Sequence, residues 1–362
     1  MKFIFLVILF YSNLLHAEVN PWSTSLPVYS KHFVVTEELK DRVDFWVKVY
    51  SEISENEGLL HNVDNPAIIY SKLEFKTILE NNKLTDRKKK NKISQTVQIE
   101  KIKVAQKWGI RNIKKIRLQM GLKERTQKAL YLSGRYLPMM ESIFKQRSLP
   151  IELTRLVFVE SSFNVNAQSK VGASGLWQIM PNVAQVEGYI QRYYDKRNHP
   201  YYSTVLAADI LETNYSSIKH WPLAITAYNH GLTGVKRMTN LAQSKKIEKL
   251  IESDKKTKTW GFASKNFYAC FLAVLEVERR AKWLFQGELV KAKPLIMNRV
   301  VTKSSISKKV ALSYFDHSYD KFKKYNPHIN IAVIQKNKLI PAGIPLVLPK
   351  KSLSKQFKSA SL

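Results

Sequence analysis

Residues 156–181 read LVFVESSFNVNAQSKVGASGLWQIMP. An apolar run, Leu156 to Val159, delivers one carboxylate, Glu160, and no Asp or Glu follows between Ser161 and Val186. Ile151 to Val159 offers too few polar positions for a surface helix, so the pattern predicts a mostly buried helix with Glu160 emerging at its C-terminal end. Burial and the negative end of the helix dipole both favour the neutral acid, the form that can protonate a leaving oxygen. A glutamate behind an apolar run is more often an ion-pair partner, so the weight falls on the residues C-terminal to it. Gly172 and Gly175, with Ala173 and Ser174, allow backbone to approach a ligand closely. Trp177 offers an apolar face suited to a sugar ring, and Gln178 both a donor and an acceptor for an N-acetyl group.

Working outward, residues 129–290 are predominantly helical in pattern. KALYLSGRYLPMMESIFKQRS has helical apolar spacing interrupted by Gly134 and Pro138, and Leu149-Pro150 opens the next helix. Ser203, Trp221-Pro222 and Gly231 mark the ends of later helices. NFYACFLAVLEVERRAKW is apolar almost all round at its start and therefore buried. Cys270 lies in it as a core thiol, and a single cysteine excludes an internal disulfide. The eight histidines show no metal-ligand spacing, and the glycines form no phosphate-cradling loop, so no metal and no cofactor are expected. His230 reads as a helix-end residue, and Asp195 with Arg197 as an ion-paired loop.

The ordered set Glu160-Ser161-Ser162-Phe163, Ala167-Gln168-Ser169, Gly172 to Pro181 and Ala227-Tyr228-Asn229 resembles the successive motifs of the lytic transglycosylase domain, in particular among relatives of membrane-bound lytic murein transglycosylase D. The resemblance covers about residues 129–285. It implies a mainly α, goose-lysozyme-like fold that cleaves the β-1,4 bond between N-acetylmuramic acid and N-acetylglucosamine and leaves a 1,6-anhydromuramic end. It makes Glu160 the acid and then the base, Ser169 an orienting residue, and Gln178, Tyr228 and Asn229 sugar-holding residues beside Trp177. Where the family often has a tyrosine in its last motif this chain has Phe267 with Tyr268 beside it, so either Tyr268 takes over that hydroxyl's role or the role is absent here. The acid-free stretch after Glu160 agrees with a reaction needing no second carboxylate. Glu187 stays open as such a carboxylate. The alternatives are a water-using muramidase and a catalytically silent peptidoglycan-binding protein.

The flanks frame this domain. Residues 1–17, MKFIFLVILFYSNLLHA, read as a cleaved signal peptide, which places the protein in the periplasm or beyond it. No cysteine stands near the cleavage site to take a lipid, so no stable membrane anchor is expected, and a monomer is. The formal net charge of +30 favours a polyanionic partner; export argues against nucleic acid and for peptidoglycan glycan strands. Residues 18–128 read as a basic helical N-terminal region. From Asn81 to Lys128 there are sixteen Lys or Arg against three acids, and DRKKKN at 86–91 reads as a solvated loop. Residues 297–350 read as strand, helix, helix and strand. Tyr325-Asn326-Pro327-His328 and Ile340-Pro341-Ala342-Gly343 there resemble a LysM module, although the usual Gly-Asp-Thr-Leu opening is missing. A disordered tail is expected over 351–362.

Overall fold

The computed structural model describes residues 32–253, 257, 259–287, 290–330 and 339–349. The signal peptide at 1–17 and the tail at 351–362 lie outside the described residues. The architecture is mainly α, with three small antiparallel sheets among the described residues.

Helix α1 (Glu37–Ser51) turns Leu39, Val43, Trp46 and Tyr50 inward, one face at three- and four-residue spacing. It leads into β1 (Glu57–Asn62) and β2 (Ile69–Glu74), then α2 (Lys76–Leu79), α3 (Asp86–Lys107) and β3 (Ile116–Met120). The three strands form an antiparallel sheet in the order β2-β1-β3. The helical region expected over 18–128 is therefore corrected: it contains a sheet. The central strand is covered on both faces. Leu59 joins the main core, while Leu60 packs with Val104 of α3 and Ile116 of β3. A strand buried on both sides loses the period-two alternation that would betray it. The expected loop at 86–91 is instead the start of α3, capped by Thr85, whose hydroxyl accepts from Lys88 N.

Helix α4 (Lys123–Gln146) runs unbroken through Gly134 and Pro138, and it spans the 128/129 boundary drawn from the sequence. Gly134 is needed for contact. A Cβ there would lie 2.6 Å from the Ala292 carbonyl oxygen, where the chain leaving the helical core crosses α4 and Ala292 N donates to Tyr131 O at 2.8 Å. Leu137 and Met140 flank Pro138 and are buried, so packing holds the helix through the missing hydrogen bond.

A 3-10 turn (Ile151–Arg155) feeds α5 (Leu156–Ser161). Then come α6 (Pro181–Val186), a hairpin of β4 (Ile190–Gln191) and β5 (Tyr194–Asp195), α7 (Pro200–Ile218), α8 (Trp221–His230), α9 (Leu232–Ala242), α10 (Ile247–Glu252), α11 (Phe262–Arg279) and α12 (Ala281–Leu284). Helix α11 is the axis of the core: every residue from Asn266 to Leu275 is buried, with α1, α5 and α8 packed on it. Each buried Phe or Leu there contributes roughly 1.5–3 kcal/mol.

The C-terminal unit is β6 (Met297–Val301), α13 (Lys308–Ser313), α14 (Tyr319–Tyr325) and β7 (Pro345–Pro349), with β6 antiparallel to β7. It has its own core of Phe315, Phe322, Ile340 and Leu346. It is fastened to the hairpin and to the start of α7. Asp195 N donates to His328 O at 2.8 Å, His199 Nε2 meets Tyr325 O at 3.1 Å, and the Arg299 guanidinium lies 3.7 Å from the centre of the Tyr201 ring.

Candidate active site

Glu160 occupies the last turn of α5, which ends where Ser162 enters the left-handed region at φ 51° and its N–H closes on Phe158 O. Phe163 follows at φ 59°, and Gln178 sits at φ 46°. Such conformations are costly for residues with a Cβ and persist only where packing over-determines them. Phe163 is held edge-on to Phe158 at 4.8 Å and stacked near Tyr136. The chain thus reverses sharply after the carboxylate.

Around Glu160 the protein is dense, yet the residue keeps some contact with solvent. Desolvation alone pushes its pKa from 4.5 to about 8. Among the described residues it forms no hydrogen bond and no ion pair. Five residues earlier the arrangement is opposite. Arg155, in the 3-10 turn, pairs with Glu278 of α11 through Nε at 2.7 Å and Nη2 at 3.2 Å, and with Glu141 of α4 through Nη1. That buried cluster ties the segment carrying Glu160 to two long helices.

The segment after Glu160 is stitched from both sides. Ser161 Oγ donates to Leu176 O at 2.7 Å, and Tyr228 Oη donates to Trp177 O at 2.8 Å. Gln178 Nε2 donates to Ala167 O and Gly175 O at 3.1 and 2.9 Å. Ser169 Oγ accepts from Ala173 N at 2.8 Å, which closes the turn at 169–173. Arg197 pairs with Asp195 as expected, and its Nη1 donates to Gly172 O and Ile179 O at 2.8 and 2.9 Å. Gly175 is buried at φ 76°, and a Cβ would fall 2.1 Å from Arg197 O. That glycine serves the approach of protein backbone rather than of a ligand.

The sequence-predicted residues therefore separate. Glu160 and Tyr228 come together: Tyr228 feels the Glu160 charge, and burial drives its own pKa well up. Gln178 and Ser169 are half-buried in the adjoining segment with their groups bonded to backbone, and Asn229 is exposed beside Tyr228. Trp177 is corrected: it is fully buried, stacked on Phe144 at 5.7 Å, with Nε1 donating to Thr204 Oγ1 at 2.9 Å. It offers no face to a sugar. Tyr268 is buried against Phe271, and burial followed by the Glu248 charge raises its pKa. A second hydroxyl that senses Glu160, besides Tyr228, is that of Tyr50 of α1, buried and hydrogen-bonded to Cys270. Sequence reasoning missed Tyr50, whose only signal was its inward register with Trp46 and Val43. Cys270 is a core thiol whose pKa burial raises. His230, at the end of α8, has Nδ1 2.8 Å from Ser264 Oγ. Among the described residues no cluster of His, Cys, Asp or Glu is arranged to hold a metal ion.

Residues 139–251 match the family described as the Transglycosylase SLT domain. Membrane-bound lytic murein transglycosylase D of Escherichia coli, in strains K12 and CFT073, is 32% identical over 151 residues, which is 36% of this chain and 33% of the relative. The chain thus spans about a third of the length of these curated relatives. A solved structure of the lytic transglycosylase Slt of Pseudomonas aeruginosa aligns over 43% of this chain and 25% of its own at 20% identity, with a TM-score of 0.32, too low to bear on the fold. Glu160, Tyr228 and the segment that joins them all fall inside the range, residues 139–251, that matches the Transglycosylase SLT domain.

Proposed function

We propose that this protein is a peptidoglycan lytic transglycosylase that cleaves the β-1,4 bond between N-acetylmuramic acid and N-acetylglucosamine. The single observation that carries the reading is Glu160: unpaired among the described residues, held at a pKa of about 8, and succeeded by no acid as far as Val186. At neutral pH it is protonated. It gives that proton to the glycosidic oxygen as the bond to the muramic C1 breaks, and the substrate's own N-acetyl carbonyl stabilises the cationic carbon. The Glu160 carboxylate then takes the proton of the C6 hydroxyl as that oxygen closes on C1. The product is a 1,6-anhydromuramic end, no water is consumed, and Glu160 is reset.

Tyr228, Asn229, Gln178 and Ser169 line the substrate side in this reading, and Tyr50 closes the far wall beside the carboxyl group. The acid in place of a fixed ion pair is what supports catalysis over silent binding. The fastening of the C-terminal unit to the Asp195–Arg197 loop supports its reading as a stabilising, LysM-like appendage of the cleft. A periplasmic, monomeric protein acting on glycan strands fits these features; no helix among the described residues is long and apolar enough to cross a membrane.

Chromatography with mass detection of muropeptides released from purified sacculi tests the proposal. Anhydro ends from the wild type and no release by Glu160→Gln are expected. Ends heavier by one water would instead make the enzyme a muramidase.

A further inference from the structure

We infer that the outward ridge of α3 docks this protein onto an anionic lipid surface. Helix α3 buries Val104 and half-buries Val97 against the sheet. Half a turn round from that face run Lys88, Lys92, Gln95, Ile99, Ile102 and Gln106, at steps of four, three, four, three and four residues, and all six are exposed. Ile99 is 55% exposed and Ile102 46%. Neither packs the core, and a helix that served only to carry charge would have no use for them there.

The ridge is divided along its length. Its N-terminal half carries Lys88 and Lys92, and neither has a carboxylate partner among the described residues. The C-terminal half carries the two isoleucines; Trp108, which ends the helix, lies on its other side with its ring edge-on to Tyr70 of β2. Unpaired cations in line with exposed isoleucines suit the boundary between lipid headgroups and acyl chains. Ammonium groups meet phosphates there while the aliphatic side chains sink just below them. A soluble polyanion would satisfy the lysines and leave the isoleucines in water. A second copy of this chain would bring +30 against +30. Both are less well matched to the ridge than a lipid surface.

The test is flotation of the full chain with vesicles of phosphatidylcholine alone, and with vesicles of equimolar phosphatidylcholine and phosphatidylglycerol, with sacculus binding measured in parallel. Floating is expected only with phosphatidylglycerol present, and less at high salt. Lys88→Glu with Lys92→Glu is expected to weaken it about twentyfold or more, since each lysine near such a surface is worth about fivefold. Ile99→Asp with Ile102→Asp is expected to abolish floating yet leave sacculus binding and glycan release intact. Ile99→Ser with Ile102→Ser repeats the test more mildly, and far-UV circular dichroism confirms that each variant is folded. The inference is overturned if the wild type does not float, if the isoleucine variants float as it does, or if they lose sacculus binding to the same extent.

Discussion

Two carboxylates, Glu160 half-buried and Glu278 fully buried, sit in the same helical core, and their chemistry diverges. Both lose water. Glu278 meets the Arg155 guanidinium in two hydrogen bonds, and the nearby positive charge holds its pKa below the ordinary carboxylate range. Glu160 meets no such partner and rises to about 8. Burial raises a carboxyl pKa, and a well-placed cation reverses the effect. One glutamate is thereby fitted for holding helices together and the other for holding a proton.

The largest effect expected on this contrast is on Glu160 itself. Glu160→Gln keeps shape and burial while removing the proton, and release of muropeptides should fall about a thousandfold or more, read by mass detection against total sacculi. Residual release near the wild-type level would contradict its role. The partner arm is Arg155→Ala, which strands Glu278 and Glu141 without their cation. A loss of about 3–5 kcal/mol in urea unfolding is expected, against a much smaller loss when Arg155→Met is combined with Glu278→Leu. Equal losses would show that the ion pair does not govern Glu278.

Acid and base should move the two sites in opposite directions. The folded pKa of Glu160 lies above its ordinary 4.5, so between 4.5 and about 8 the folded chain holds a proton that the unfolded chain has released. The associated stability is complete below 4.5 and is lost as pH rises through 8. Glu160→Gln should therefore out-stabilise the wild type by about 2 kcal/mol more at about pH 9 than at about pH 5, after allowance for remaining solvent contact. Glu278 runs the other way, since its contribution is present above its ordinary pKa and is lost on acidification. Smaller still is the effect expected of the hydroxyl beside the acid. Tyr50→Phe should lower turnover by about tenfold, while Tyr268→Phe should leave it within about twofold, compared in steady-state assays. A larger loss at Tyr268 would restore the family's pattern.

How much of this was legible beforehand depended on whether the cause was local. The burial of α5, the emergence of Glu160 at its end and the Asp195–Arg197 pair arise from short-range pattern, and sequence reading reached them. Trp177 misled because an indole beside glycines looks like a sugar platform; Thr204, twenty-seven residues on, takes its N–H and seals it in the core. Tyr50 was hidden because nothing in α1 announces that it packs on α11 beside a carboxylate more than a hundred residues away. The sheet at 57–120 was hidden because Leu59 and Leu60 face two different cores, which erases alternation. Pro138 reads as an interruption, and only the packing of Leu137 and Met140 shows that the helix survives it.

The most direct test is titration of Glu160 by carbon NMR of the folded protein labelled at the glutamate carboxyls, with the resonance assigned by its absence in Glu160→Gln. A midpoint near 8 is the result expected of a lone acid kept from water. A midpoint near the ordinary 4.5 would mean that the group is ionised at neutral pH, and it could not then supply the proton on which the proposed reaction depends.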